Sequence, residues 1–160
     1  MTSCLDTSPQ ALRRQLDTLH ANTCAWSISL SCRIREAHQQ FVLGGMIFGG
    51  ENFLETAAVS LWRHVAIWKF DEFRQEVADR VRDLNNDPAV QHAMRLTEGA
   101  ASPMQVNLEM EPDRNAALSN VDWNNQTDDA FFQLMDCGRE VFDHLSPLID
   151  AAHECLRLSA

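Results

Sequence analysis

Glu140, His144, Asp150 and His153 are the most ligand-like side chains that fall close together, and they lie near the C-terminal end of the chain. Glu-x-x-His pairs on inward-facing helices build di-iron bundles, and Asp150-x-x-His153 approaches that spacing once. The second copy that two metal ions require is missing. Helix geometry weakens the set further. Nine residues separate His144 from His153, about 900° at ~100° per residue, so the two rings fall on opposite sides of a straight helix. Asp136, Glu140, Asp143, Asp150 and Glu154 instead line up as one acidic stripe, opposite the apolar positions of the same segment. No metal, cofactor or catalytic set is therefore expected. Glu140, His144 and His153 support only an alternative reading, a helical-bundle enzyme or a metal or cofactor carrier.

Other chemistry fails on single residues. Asp122-Trp123-Asn124-Asn125-Gln126-Thr127-Asp128 begins like a calcium loop, but it lacks the glycine at the sixth position and has Gln133 where a bidentate glutamate belongs. The stretch Val42-Leu43-Gly44-Gly45-Met46-Ile47-Phe48-Gly49-Gly50-Glu51-Asn52 holds two glycine pairs. A phosphate loop would place lysine and a hydroxyl residue after its last glycine, whereas here a carboxylate follows. The glycines predict a corner between helices, with Met46, Ile47 and Phe48 plugging the end of the bundle. The five cysteines form no C-x-x-C and read as reduced, mostly buried small hydrophobes. Histidines 20, 38, 64 and 92 are scattered, as expected of surface or satisfied side chains.

Composition bounds the rest. The 160 residues are 45% hydrophobic and 22% charged, the balance of a folded globular chain, and one domain is expected over 1–160. No apolar run approaches the ~18 residues that span a bilayer. The first residues lack a basic segment followed by an apolar one, so a cytoplasmic protein without a secretory signal is expected. The net charge of −10 is concentrated in the last third, where residues 99–160 carry three arginines against eleven acids. That excess opposes nucleic-acid phosphates, which need Lys and Arg, and favours a basic protein partner.

The elements that must position these residues are mainly helical. Ser8-Pro9 caps a first helix, and Leu12, Leu16 and Leu19 follow on one face. Residues 25–35 alternate like a strand through Trp26, Ile28, Leu30 and Cys32. Yet Trp26, Leu30, Ile34, Ala37 and Phe41 also form a helical ridge that runs on where the alternation stops, so helix is the reading taken. Asn52 and Glu55 cap a long helix with two apolar faces, one through Leu61, Val65 and Trp68 and one through Phe70, Phe73, Val77, Val81 and Leu84. A short helix follows from Pro88. The clearest element begins near Asp128, where Phe131, Leu134, Gly138, Val141, Leu145, Leu148, Ala152 and Cys155 form a continuous seam past Pro147. Helices are thus expected near 8–21, 24–43, 52–84, 88–98 and 128–158, packed as an irregular bundle with two long helices. The alternative is α+β, with a small antiparallel sheet from 25–35, 41–48 and 103–111.

Residues 99–125 are expected to be a long irregular segment. Inside it Met104, Val106, Leu108 and Met110 alternate with Gln105, Asn107, Glu109 and Glu111 between two prolines. Trp26, Trp62 and Trp68 are expected in the core, whereas Trp123 falls beside no periodic face. The function this pattern predicts is a non-catalytic protein-binding module: an inhibitor, immunity-type protein, chaperone or adaptor with an acidic C-terminal third facing a basic partner. The residues expected to bind that partner are Met104, Val106, Leu108, Met110, Trp123, Glu109 and Glu111. Self-association is left open, and no nucleic acid or membrane span is expected.

Overall fold

Four helices are present among the described residues, and no strand. The structure, a computed structural model, describes residues 8–48, 57–97, 103–112 and 120–158. Helix α1 runs Pro9–Phe48, α2 Ala57–Asn86, α3 Pro88–Leu96 and α4 Asn120–Leu158. The mainly α class expected from periodicity is the one found, and the small sheet is not.

Helix α1 starts as its capping residues dictate. The Ser8 hydroxyl accepts from Ala11 N at 3.1 Å, and Leu12 N donates to Ser8 O at 3.0 Å. The expected break near residues 21–24 does not occur. Leu12, Leu16, Thr23, Trp26, Leu30, Ile34 and Phe41 are all buried at helical intervals, so one apolar seam crosses the region in phase. Ile28 decides between helix and strand: alternation would put it beside Trp26 and Leu30, but it is 61% exposed while they are buried.

The glycine corner is also corrected. Gly44 and Gly45 are helical, and α1 continues to Phe48. What Gly44 provides is room. A Cβ there would lie 2.6 Å from Nε1 of Trp62, which donates to the Phe41 carbonyl at 3.0 Å. Gly49, Gly50, Asn52 and Glu55 lie outside the described residues, as do the side chains of Met46, Ile47 and Phe48.

Helix α2 holds one buried seam, Arg63, Ala66, Phe70, Phe73, Val77 and Leu84, and no break near Lys69. The face through Leu61, Val65 and Trp68 is out of phase with that seam and solvent-exposed, which corrects the expectation that Trp68 is core. Asp87 caps α3, its carboxylate accepting from Ala89 N and Val90 N at 2.8 and 3.3 Å, with Pro88 at the first position. Helix α4 begins eight residues before the expected Asp128. Trp123 and Thr127 extend its seam backwards, and the Thr127 hydroxyl donates to the Trp123 carbonyl at 2.7 Å. Past Pro147 the buried positions are Ile149, Ala152 and Leu156 rather than Leu148 and Cys155, which are half-buried. A helix of 3.6 residues per turn drifts from a strict 3.5-residue repeat, and a step of four from Leu145 to Ile149 absorbs the drift.

The backbone gathers into two compact units: residues 1–27, 79–106 and 139–160, and residues 28–78 with 107–138. In the first, the core includes Leu12, Leu16, Trp26, Leu84, Val90, Val141 and Leu145. Arg80 lies over the Trp26 ring, 4.8 Å from its centroid. In the second, Phe41, Ala66 and Trp123 form a cluster on which Trp62 and Ile67 pack. Phe41 stacks on Trp62 at 4.3 Å between centroids and 8° between planes. Arg63 lies over Trp123 at 5.1 Å, and burial lowers its guanidinium pKa from the ordinary arginine value.

Two stability measurements check this packing. Leu145 is fully buried, so Leu145→Ala should cost about 2–5 kcal/mol in urea unfolding, with Leu148→Ala costing clearly less. Equal costs would restore Leu148 to the seam. Gly44→Ala should destabilise by about 1–3 kcal/mol through overpacking, outweighing the ~1 kcal/mol of helix propensity gained. In a Trp62→Leu background that penalty should vanish. The same penalty in both backgrounds would show that Trp62 is not what excludes the side chain.

Candidate partner-binding surface

The apolar row between Pro103 and Pro112 is extended and alternates as its sequence does. Met104, Val106, Leu108 and Met110 are half-buried, while Gln105, Asn107, Glu109 and Glu111 are exposed. Side chains from the helices take the place of a partner strand. In the first unit Asn85 of α2 grips Met104 twice: its Nδ2 donates to Met104 O and its Oδ1 accepts from Met104 N, both at 2.9 Å. In the second unit Arg74 donates to the Met110 carbonyl at 3.4 Å and to the Glu111 carboxylate at 3.0 Å, while Asp71 accepts its other terminal nitrogen at 2.8 Å. The Cys137 thiol donates to Asn107 O at 3.3 Å. The row thus turns its apolar side inward and presents its polar side.

Trp123 does not join that row. It is 1% exposed, within 5.0 Å of Phe41 and 5.2 Å of Trp62 between ring centroids, and therefore a core residue rather than a surface anchor. The long irregular segment expected around it is shorter, since Trp123 is already helical.

The acidic stripe has the geometry that its spacing predicts. In the second unit Asp136 is exposed, and in the first Glu140, Asp143, Asp150 and Glu154 are exposed on α4. Arg157 binds Glu154 at 2.6 Å and holds its carboxyl below the ordinary carboxylate range. Among the described residues Glu154 alone of the five has an arginine at ion-pair distance. Pro147 lies on the same outer face, so the backbone donor it lacks is missing where water can substitute.

The histidines do not converge. His153 Nε2 meets Asp17 of α1 at 2.7 Å, whereas His144 is exposed and lines a recess of about 350 Å³ with Asp143, Met94, Met104 and Leu148. His38 pairs with Asp128 between the rings of Phe131 and Phe132. Among the described residues no group of three or more His, Cys, Asp or Glu is placed to hold a metal ion. Of the described cysteines Cys137 is buried, Cys24 and Cys155 are half-buried and Cys32 is exposed, fewer in the core than expected.

Sequence reasoning missed two features here. One is the clamp by Asn85 and Arg74, which no local pattern announces because the partners are distant in the chain. The other is the exposed α2 stripe, whose signal was that Leu61, Val65 and Trp68 are out of phase with the face through Phe70. Compared with protein-family models, curated proteins and solved structures, the chain matches none.

Replacing Asn85 by alanine leaves two half-buried backbone groups of Met104 without their partner, which should cost about 1–3 kcal/mol. Amide exchange at Met104 should quicken more than exchange in α3. Unchanged exchange there would mean that packing of the row, not the clamp, holds the segment.

Proposed function

We propose that this is a non-catalytic protein-binding module, acting in the cytoplasm as an inhibitor, immunity-type protein, chaperone or adaptor. Its acidic α4 face docks on a basic partner protein. The observation that carries the reading is the line of exposed carboxylates from Asp136 to Glu154. Like charges three or four residues apart on a helix each cost roughly 0.2–0.5 kcal/mol, so Asp136–Glu140, Glu140–Asp143 and Asp150–Glu154 work against the isolated helix. Lysines or arginines from another protein relieve that repulsion, and the same field steers the encounter. The acids Glu109 and Glu111 on the exposed side of the extended row add to the charge that such a partner meets. Met104, Val106, Leu108 and Met110, half-buried, anchor the segment that carries these two acids.

Capture from the native host, read by mass spectrometry, tests the reading. A Glu140→Lys/Asp143→Lys/Asp150→Lys variant should fold normally by circular dichroism and lose basic proteins that the wild type retains. Association of those proteins with the wild type should slow as salt rises. A variant that captures the same proteins with the same salt response would remove the acidic face from the function.

A further inference from the structure

Leu61, Val65 and Trp68 are 66%, 54% and 68% exposed. They are spaced four and three residues apart, so they form one ridge on α2, of the kind that packs against another helix. The ridge does not belong to the protein's own core, because Ala66, Phe70 and Phe73 fill the buried side of the same helix. We infer that this ridge is the contact between two copies of the chain, paired antiparallel through α2.

Charge selects both the occupant and the orientation. The chain carries −10 overall, which opposes self-association across most of its surface, yet residues 57–70 contain Arg63, His64 and Lys69 and no carboxylate. This is a surface on which two copies meet without opposing acids. Just beyond it Glu72 continues the line of the ridge, bound by Lys69 at 3.3 Å. Parallel pairing would set Glu72 against Glu72 and Lys69 against Lys69. Antiparallel pairing about a twofold axis beside Val65 sets Leu61 of one copy against Trp68 of the other, and keeps each Glu72 away from the Glu72 of the other copy. The two apolar ends of the ridge are then mutually complementary, a large indole against a leucine, and the interface is isologous. The pairing stands independently of the acidic α4 face.

Sedimentation of the whole chain tests the inference. The weight-average mass should rise toward twice the chain mass with concentration, and salt should not dissociate the dimer. Leu61→Lys and Trp68→Glu should each weaken association tenfold or more, with unchanged helical signal and melting midpoint. An equimolar mixture of the two variants should dimerise again, because in antiparallel pairing the introduced lysine meets the introduced glutamate while a native Leu61–Trp68 contact remains. A wild type that stays monomeric at millimolar concentration would assign the ridge to some other protein and overturn the inference. Unfolding of either variant would return these residues to the core and do the same. Failure of the mixture to recover, with both single variants weakened, would exclude the antiparallel arrangement.

Discussion

The stacking of Phe41 on Trp62 is the contact around which the second unit is arranged. It combines a near-parallel ring pair at 4.3 Å with a hydrogen bond from the indole nitrogen to the Phe41 carbonyl. Two aromatic faces can approach a helix backbone this closely only where a residue lacks a side chain, and Gly44 supplies that position one turn on. With Trp62 seated, Trp123 packs tilted against both rings, at 47° to Phe41 and 55° to Trp62, and α4 must begin early enough to present it. The start of α4 at Asn120 is thus tied to a glycine in α1 far away in sequence.

Burial and charge divide the surfaces of the helices in a consistent way. Arg63, the one buried arginine among the described residues, is accepted because its guanidinium lies over the Trp123 ring. Carboxylates are treated differently. Asp136, Glu140, Asp143, Asp150 and Glu154 of α4 are turned outward as a row, and Glu76 on α2 faces Arg33 of α1 in a two-pronged pair of 2.9 and 2.8 Å that raises the arginine pKa above its ordinary value. An exposed pair of this type contributes little stability, roughly 0–1 kcal/mol, but it fixes which side of α2 meets α1.

Much of the fold was legible because three of the helices carry a single unbroken seam. The capping of α1 by Ser8, the start of α3 at Pro88 and the apolar row of α4 are local patterns with local causes. The misreadings share one origin. Glycine in a sequence signals a turn, whereas at Gly44 it marks a close approach by a residue distant in the chain, and a sequence displays only the first kind of reason. Trp123 was misplaced for the same cause: its periodic partners Thr127 and Ala130 are small, so the seam there looks polar until its neighbours are known. The outward acids were legible from spacing alone. The exposure of Leu61, Val65 and Trp68 was not, because two apolar faces on one helix do not declare which is covered.

The grip of Asn85 on Met104 has a bearing on the protein's behaviour at high concentration. A primary amide offers one donor and one acceptor at the separation found along a peptide backbone, so Asn85 acts as a one-residue stand-in for a neighbouring strand. Apolar segments whose backbone groups are left open can pair with like segments in stacked, cross-β assemblies. Here the amide, the Arg74 guanidinium and the Cys137 thiol occupy backbone groups of the row one by one, so the groups through which such stacking starts are taken by side chains rather than by a sheet.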